Sequence, residues 1–266
     1  MATFAQTLQE EARRCHDAGL RSSFWWRDDD LVAPSENLKR LASLTRDHPV
    51  RCLTAVIPAL CQDALGETLV DMPGLVICQH GYSHENHEPD GQLKCEFGPE
   101  RPIDGVYDEV SGGFRTLTRL FGPRFAPVFV GPWNRCAPKF GAVLVDVGFR
   151  GWSGFAAEPM RPSHPKLRSI DTHADVVAWT ARPRLQPLEA ISARLADALA
   201  TLRVAAEQRP RRGSPGDDAE ILPPVGVLTH HRVLDEEAWT LLSELFAAIS
   251  ELPGAEWADP ADLFGV

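Results

Sequence analysis

The sequence predicts an α/β fold in which a mostly parallel sheet closes into a distorted barrel of about seven β/α units. Three observations predict it. Short β-rich runs alternate with longer helical stretches, no block consists of strands alone, and each repeat is about the size of one βα unit. The length of 266 residues suits one α/β barrel used as a single domain over residues 1–266.

The first strand is expected over Ser22 to Arg27, followed by three aspartates, Asp28, Asp29 and Asp30. A helix then starts at Ser35, a suitable N-cap, and carries Leu38, Leu41 and Leu44 on one face. Cys52 to Ile57 reads as the second strand, stopped by Pro58, and a helix is expected near Ala59 to Val70. The third strand, Gly74 to Gln79, delivers His80. From Gly81 to about Pro102 no period is visible, and loops of this length in a compact domain tend to be functional. A helix ending near Gly122 leads to the fourth strand, Pro127 to Val130, which enters Gly131-Pro132-Trp133-Asn134-Arg135.

A helix around Phe140 to Val147 precedes two further strand candidates, Phe149 to Ser153 and Leu167 to Trp179. Ile191, Leu195, Leu199 and Leu202 form one face of a long amphipathic helix over Leu188 to Glu207. Gln208 to Glu220 is linker-like and reads as a surface loop, because one more unit follows: a strand from Val225 to Thr229 and a helix from Asp235 to Leu252.

Composition narrows the functional classes. With 44% hydrophobic and 24% charged residues the chain has the balance of a soluble globular protein. Its 27 basic and 37 acidic residues leave a net charge of -10, which repels nucleic acid and anionic membrane surfaces. No apolar run reaches spanning length and the start lacks the order of a signal peptide, so a cytoplasmic location is expected. The six cysteines show no Cys-x-x-Cys spacing and read as reduced, with Cys52 and Cys78 as small core residues. Nothing sets the oligomeric state.

In a parallel barrel, functional residues gather where the strands end, since those ends share one face. The strongest ligands and acids lie there: the three aspartates, His80, Trp133 with Arg135, and His230. Three carboxylates after an aromatic strand are costly without a compensating cation. His80-Gly81-Tyr82-Ser83-His84 offers two imidazoles that one turn can aim at a single point. One carboxylate and two imidazoles leave a divalent ion, zinc by preference, a position open for water.

In this order the motifs resemble those of the polysaccharide deacetylase family, the NodB-type, family 4-like carbohydrate esterases. The resemblance rests on Asp29-Asp30, His80 to His84, Pro132 to Arg135, Asp175 to Trp179 and Leu228-Thr229-His230, and it spans Phe24 to Trp239. The family's glycine after the aspartate pair is Leu31 here, and the third acid, Asp28, leaves the register open by one residue. Arg27, two residues before Asp29, favours the 29/30 pair.

The resemblance implies a NodB-like barrel and a deacetylase acting on a glycan or small-molecule amide. It makes Asp30, His80 and His84 the metal ligands, Asp29 the general base and His230 the acid, with His231 as the alternative acid. Arg135 is expected to hold Asp29. Asp175 is expected to orient His230, with Asp171 and His173 as alternatives. Trp133, Tyr82 and His87 are candidate substrate contacts, as are Trp152 and Trp179, and the stretch Lys94 to Phe97 is expected to cover the site. Two other functions fit part of the pattern. A non-haem iron oxygenase also uses two histidines and one carboxylate, and a sugar-binding protein can keep such a fold without catalysis.

Overall fold

The computed structural model describes residues 6–209 and 219–266. The chain opens with α1 (Gln6–Asp17), whose Leu8, Ala12 and Cys15 are buried. That face has helical spacing. Then come β1 (Leu20–Leu31), α2 (Glu36–Asp47), β2 (Cys52–Val56), α3 (Ala64–Thr68) and β3 (Leu75–His80). After the long loop follow α4 (Ile103–Phe121), β4 (Phe125–Val130), α5 (Gly141–Val147) and β5 (Gly151–Ser153). The expected strand over Leu167 to Trp179 is three short pieces, β6 (Arg168–Ser169), β7 (Ala174–Asp175) and β8 (Val177–Ala178). The chain continues through β9 (Arg184–Leu185), α6 (Leu188–Glu207), β10 (Glu220–Ile221), β11 (Val225–Thr229), α7 (Glu236–Ser250), β12 (Ala255–Trp257) and α8 (Pro260–Phe264). Most of the expected Gln208 to Glu220 loop lies outside the described residues.

Among the described residues every pairing in the main sheet is parallel, and only the β8–β9 hairpin is antiparallel. The order runs β6-β5-β4-β3-β2-β1-β11-β7. Residues 168–176 join its two ends. On one side the N–H groups of Arg168, Ile170 and Thr172 donate to Arg150, Trp152 and Gly154; on the other, those of His173 and Val176 donate to Gly226 and Leu228. One segment thus bonds to β5 and then to β11, and seven staves form a distorted barrel. It is broken into pieces because it changes partner midway.

Side-chain alternation divides the apolar residues into two cores. Trp25, Leu53, Ala55, Val76, Cys78, Val128 and Val130 fill the barrel, with Phe264 of α8 packed among them. The larger core, including Phe24, Trp26, Leu38, Leu41, Leu195 and Phe246, lies between barrel and helices. Cys52 and Cys78 are buried.

Two expected elements differ by more than a turn. The first strand does not stop at Arg27; it carries all three aspartates. The helix near Ala59 to Val70 is broken, because the N–H groups of Ala59 and Gln62 donate to Tyr82 and Val32 rather than along a helix. No described helix is long and apolar enough to cross a membrane.

Candidate active site

The three aspartates face three directions. Asp28 faces the outer layer, where its carboxylate accepts from the Thr229 hydroxyl at 2.6 Å and the His231 N–H at 2.9 Å, and contacts the His231 ring. Asp29 points into the barrel, on the same face as Arg27 two residues earlier. Asp30 would face outward again in a regular strand. Instead the β1–β2 register shifts between Asp28 and Leu31, and Asp30 takes φ +72°, so the strand bends and re-aims that carboxylate at the mouth.

There Asp30 meets the two histidines. Its Oδ1 lies 3.2 Å from His80 Nε2 and 3.4 Å from His84 Nε2. One ligand atom from each residue falls within 4.8 Å of the others. His80 Nδ1 lies 3.1 Å from the carbonyl of Val130 and donates to it, which turns Nε2 towards the site; burial would lower this imidazole, but Asp29 and Asp30 outweigh it and raise it above its ordinary value. Burial would raise the Asp30 carboxyl, but His80, then His230 and His84, outweigh it and hold it below the usual carboxylate range. Burial, aided by the neighbouring His80, lowers His84 and favours its neutral, ligating form.

Arg27 is fully buried and organises the floor. Its Nε lies 3.0 Å from Asp29 Oδ1, and one Nη donates to Oδ2 at 3.0 Å and to the Asn134 side chain. The other Nη donates to Ser153 Oγ at 2.7 Å and to the Gly154 carbonyl at 3.1 Å. This corrects the expectation for Arg135. Arg135 leaves the barrel after the turn at Trp133 and Asn134 and pairs with Glu158 at 2.7 Å. The interior position beside Asp29 belongs to Arg27, a neighbour legible from its i, i+2 spacing on one strand.

His230 Nε2 stands 4.0 Å from Asp29 Oδ2, and its Nδ1 stands 3.7 Å from Asp175 Oδ1. Burial raises the Asp175 carboxyl, partly offset by His230. Trp179, whose indole N–H donates to Asp175 at 2.7 Å, is exposed and sets its ring edge-on to His230 at 4.7 Å. His231 faces Asp28 in the outer layer, away from Asp29. Asp171 pairs with Arg161, and His173 Nδ1 accepts from the Gly226 N–H, which ties its segment to β11.

Among the candidate substrate contacts, Trp133 packs on the His84 ring with centroids 4.5 Å apart. Tyr82 instead packs against the outer core, and Trp152 is buried in it. His87 is exposed on the loop, tied through its N–H to the Cys95 carbonyl. Glu96, expected in a cover, is buried beneath the histidine motif and accepts from the backbone of Tyr82, Ser83 and His84. Sequence gave no cue for that, since a loop carboxylate normally reads as solvated. The described non-glycine residues with positive φ are Asp30, His84, Trp133 and Asn134, all at this mouth; such strain clusters at functional sites.

No protein-family model matches the sequence, and no curated protein does either. Solved structures match in fold. A Mycobacterium smegmatis structure assigned as a polysaccharide deacetylase is 12% identical over 93% of this chain and 90% of that one, with a TM-score of 0.63. A family 4 carbohydrate esterase from Streptococcus mutans is 17% identical, covering 96% and 90%, with a TM-score of 0.51. A family 4 acetyl xylan esterase from Clostridium thermocellum, solved with a cobalt ion, is 14% identical, covering 92% and 91%, with a TM-score of 0.50. This barrel therefore has the fold of the polysaccharide deacetylases and family 4 carbohydrate esterases.

Proposed function

We propose that the chain is a metal-dependent hydrolase that removes an N-acetyl or other N-acyl group from a sugar or related small amide. The observation that carries this reading is the convergence of Asp30, His80 and His84 beside a buried Asp29 and His230. The donor set fits a divalent ion, zinc by preference: two imidazole nitrogens and one carboxylate oxygen. Asp30 Oδ1 is moreover a buried oxygen whose near polar neighbours are the two imidazole nitrogens, at 3.2 and 3.4 Å, a grouping that a shared cation would satisfy. When bound, such an ion supplies Lewis acidity that polarises the acyl carbonyl and makes water easier to deprotonate.

The chain's own residues supply the proton transfers. Asp29 takes a proton from the water that attacks the amide carbon, and Arg27 holds that carboxylate aimed. As the C–N bond breaks, His230 gives a proton to the departing nitrogen. Asp175 keeps His230 oriented through its Nδ1 side. Acid and amine are the products. Trp133 and Trp179 flank the mouth as apolar walls on which a sugar ring stacks.

The test is acetate release from a panel of N-acetylated sugars, oligosaccharides and simple amides, with and without a chelator. Turnover is expected to vanish on chelation and return with zinc. Asp29→Asn should lower kcat by about 10²–10⁴-fold with bound zinc unchanged. Turnover that survives chelation, or a fully active Asp29→Asn variant, overturns the mechanism. Oxygen-dependent turnover would mark an iron oxygenase instead, and sugar binding without turnover a binding protein.

A further inference from the structure

The loop between β3 and α4 folds back so that Glu96 lies under the turn carrying the second histidine. Its carboxylate is fully buried. Oε1 accepts from the Ser83 N–H at 2.7 Å, the Ser83 hydroxyl at 3.0 Å, the His84 N–H at 3.1 Å and the Tyr82 N–H at 3.3 Å; Oε2 takes a second contact from Tyr82 at 3.2 Å. Three successive backbone N–H groups thus converge on one anion, the concave arrangement that backbone forms around a bound oxyanion. Gly81 belongs to the same device. It has φ +54°, and a Cβ there would collide with the Glu96 carboxylate and the Pro132 ring.

The rest of the loop holds Glu96 in place. Asn86 Oδ1 accepts from the Cys95 N–H at 3.0 Å, and the His87 N–H donates to the Cys95 carbonyl at 3.0 Å. Phe97 is buried against Phe129 of β4, with ring centroids 5.5 Å apart. His84, by contrast, sits at φ +60°, a conformation a non-glycine residue keeps only when its surroundings impose it. The only side chain that binds the backbone N–H groups of all three residues of this turn, among the described residues, is Glu96.

We propose that Glu96 is a positioning residue for metal binding: its buried carboxylate imposes the left-handed turn at His84 and so aims that imidazole at Asp30 and His80. The inference rests on the metal reading above. The Gly81 to Pro102 loop then serves the site from beneath, as an internal clamp on one ligand.

The test is zinc titration by calorimetry on the full-length, metal-stripped chain, with circular dichroism to confirm folding. Glu96→Ala should weaken zinc binding by about 10–100-fold, the usual effect of losing a group that orients a metal ligand. In the His84→Ala background the same change should have no further effect, because the ligand it positions is gone. Glu96→Gln keeps an acceptor at Oε1 and should bind zinc within about threefold of the parent, which makes it the usable variant if the alanine form does not fold. Unchanged affinity in Glu96→Ala overturns the proposal. So does an equal loss in both backgrounds, which would mean general loosening, or a folded Glu96→Gln that binds as weakly as His84→Ala. A parent chain that binds no zinc overturns the metal reading and this inference with it, an outcome separable from the others.

Discussion

Arg27 and Arg135 separate by what each leaves behind when removed. Arg27→Ala strands Asp29 as a buried charge, and breaking such a pair costs about 3–5 kcal/mol. Arg135→Ala removes a half-buried pair with Glu158 at the rim. Denaturant melts and kcat should therefore show a large loss in both quantities for Arg27→Ala and a change of no more than a few-fold in kcat for Arg135→Ala. The reverse ranking would return the role to Arg135. Much of this residue-level pattern was legible. The spacing of Arg27 and Asp29 already places both on one face of a strand. What no spacing reveals is the bulge at Asp30, because it depends on how β1 and β2 pair across the sheet.

At the scale of elements, the segment 168–176 is held to β11 through a titratable contact. His173 Nδ1 accepts from the Gly226 N–H at 3.0 Å, and burial lowers the imidazole below its ordinary value of 6.5. The folded chain thus keeps His173 neutral where the unfolded chain takes up a proton. The stability it contributes is present above the unfolded value and is lost as pH falls through the lowered folded value. Unfolding free energy measured between about pH 5 and 7 should fall on acidification, and His173→Gln should show a shallower fall. An unchanged slope in that variant would exclude His173 as the group responsible. The staves with one continuous apolar run, β2, β3, β4 and β11, are the ones the sequence makes plain. The stave at 168–176 is not, since a strand that changes partners midway has no single period. The helix expected at Ala59 failed for a related reason: its N–H groups bond to chain that lies far off in sequence.

Taken as a whole molecule, the barrel is closed at one end by α8. Phe264 packs edge-on to Trp25 with ring centroids 6.0 Å apart, inside the interior core and at the end away from the ligands. Phe264→Ala should cost about 3–5 kcal/mol in unfolding free energy, read from denaturant melts, with zinc affinity unchanged. A matching loss of zinc affinity would show that the floor and the mouth are mechanically coupled. The alternation of strands and helices made the barrel class readable from sequence, and the ends of its strands pointed to the right face. The plug was not readable, because a five-residue helix carries too few residues to show a face.

The four left-handed residues at the mouth, Asp30, His84, Trp133 and Asn134, bear on how this protein would respond to selection for heat resistance. Each holds a conformation that glycine adopts more readily, so relaxing them is an easy local route to a calmer backbone. Two of the four are proposed metal ligands, one flanks the mouth, and one receives a hydrogen bond from Arg27. A selection that ignored turnover would thus erode the site first. Durable variants that still work should carry their changes on the outer helices, where no described non-glycine residue has such tension to release.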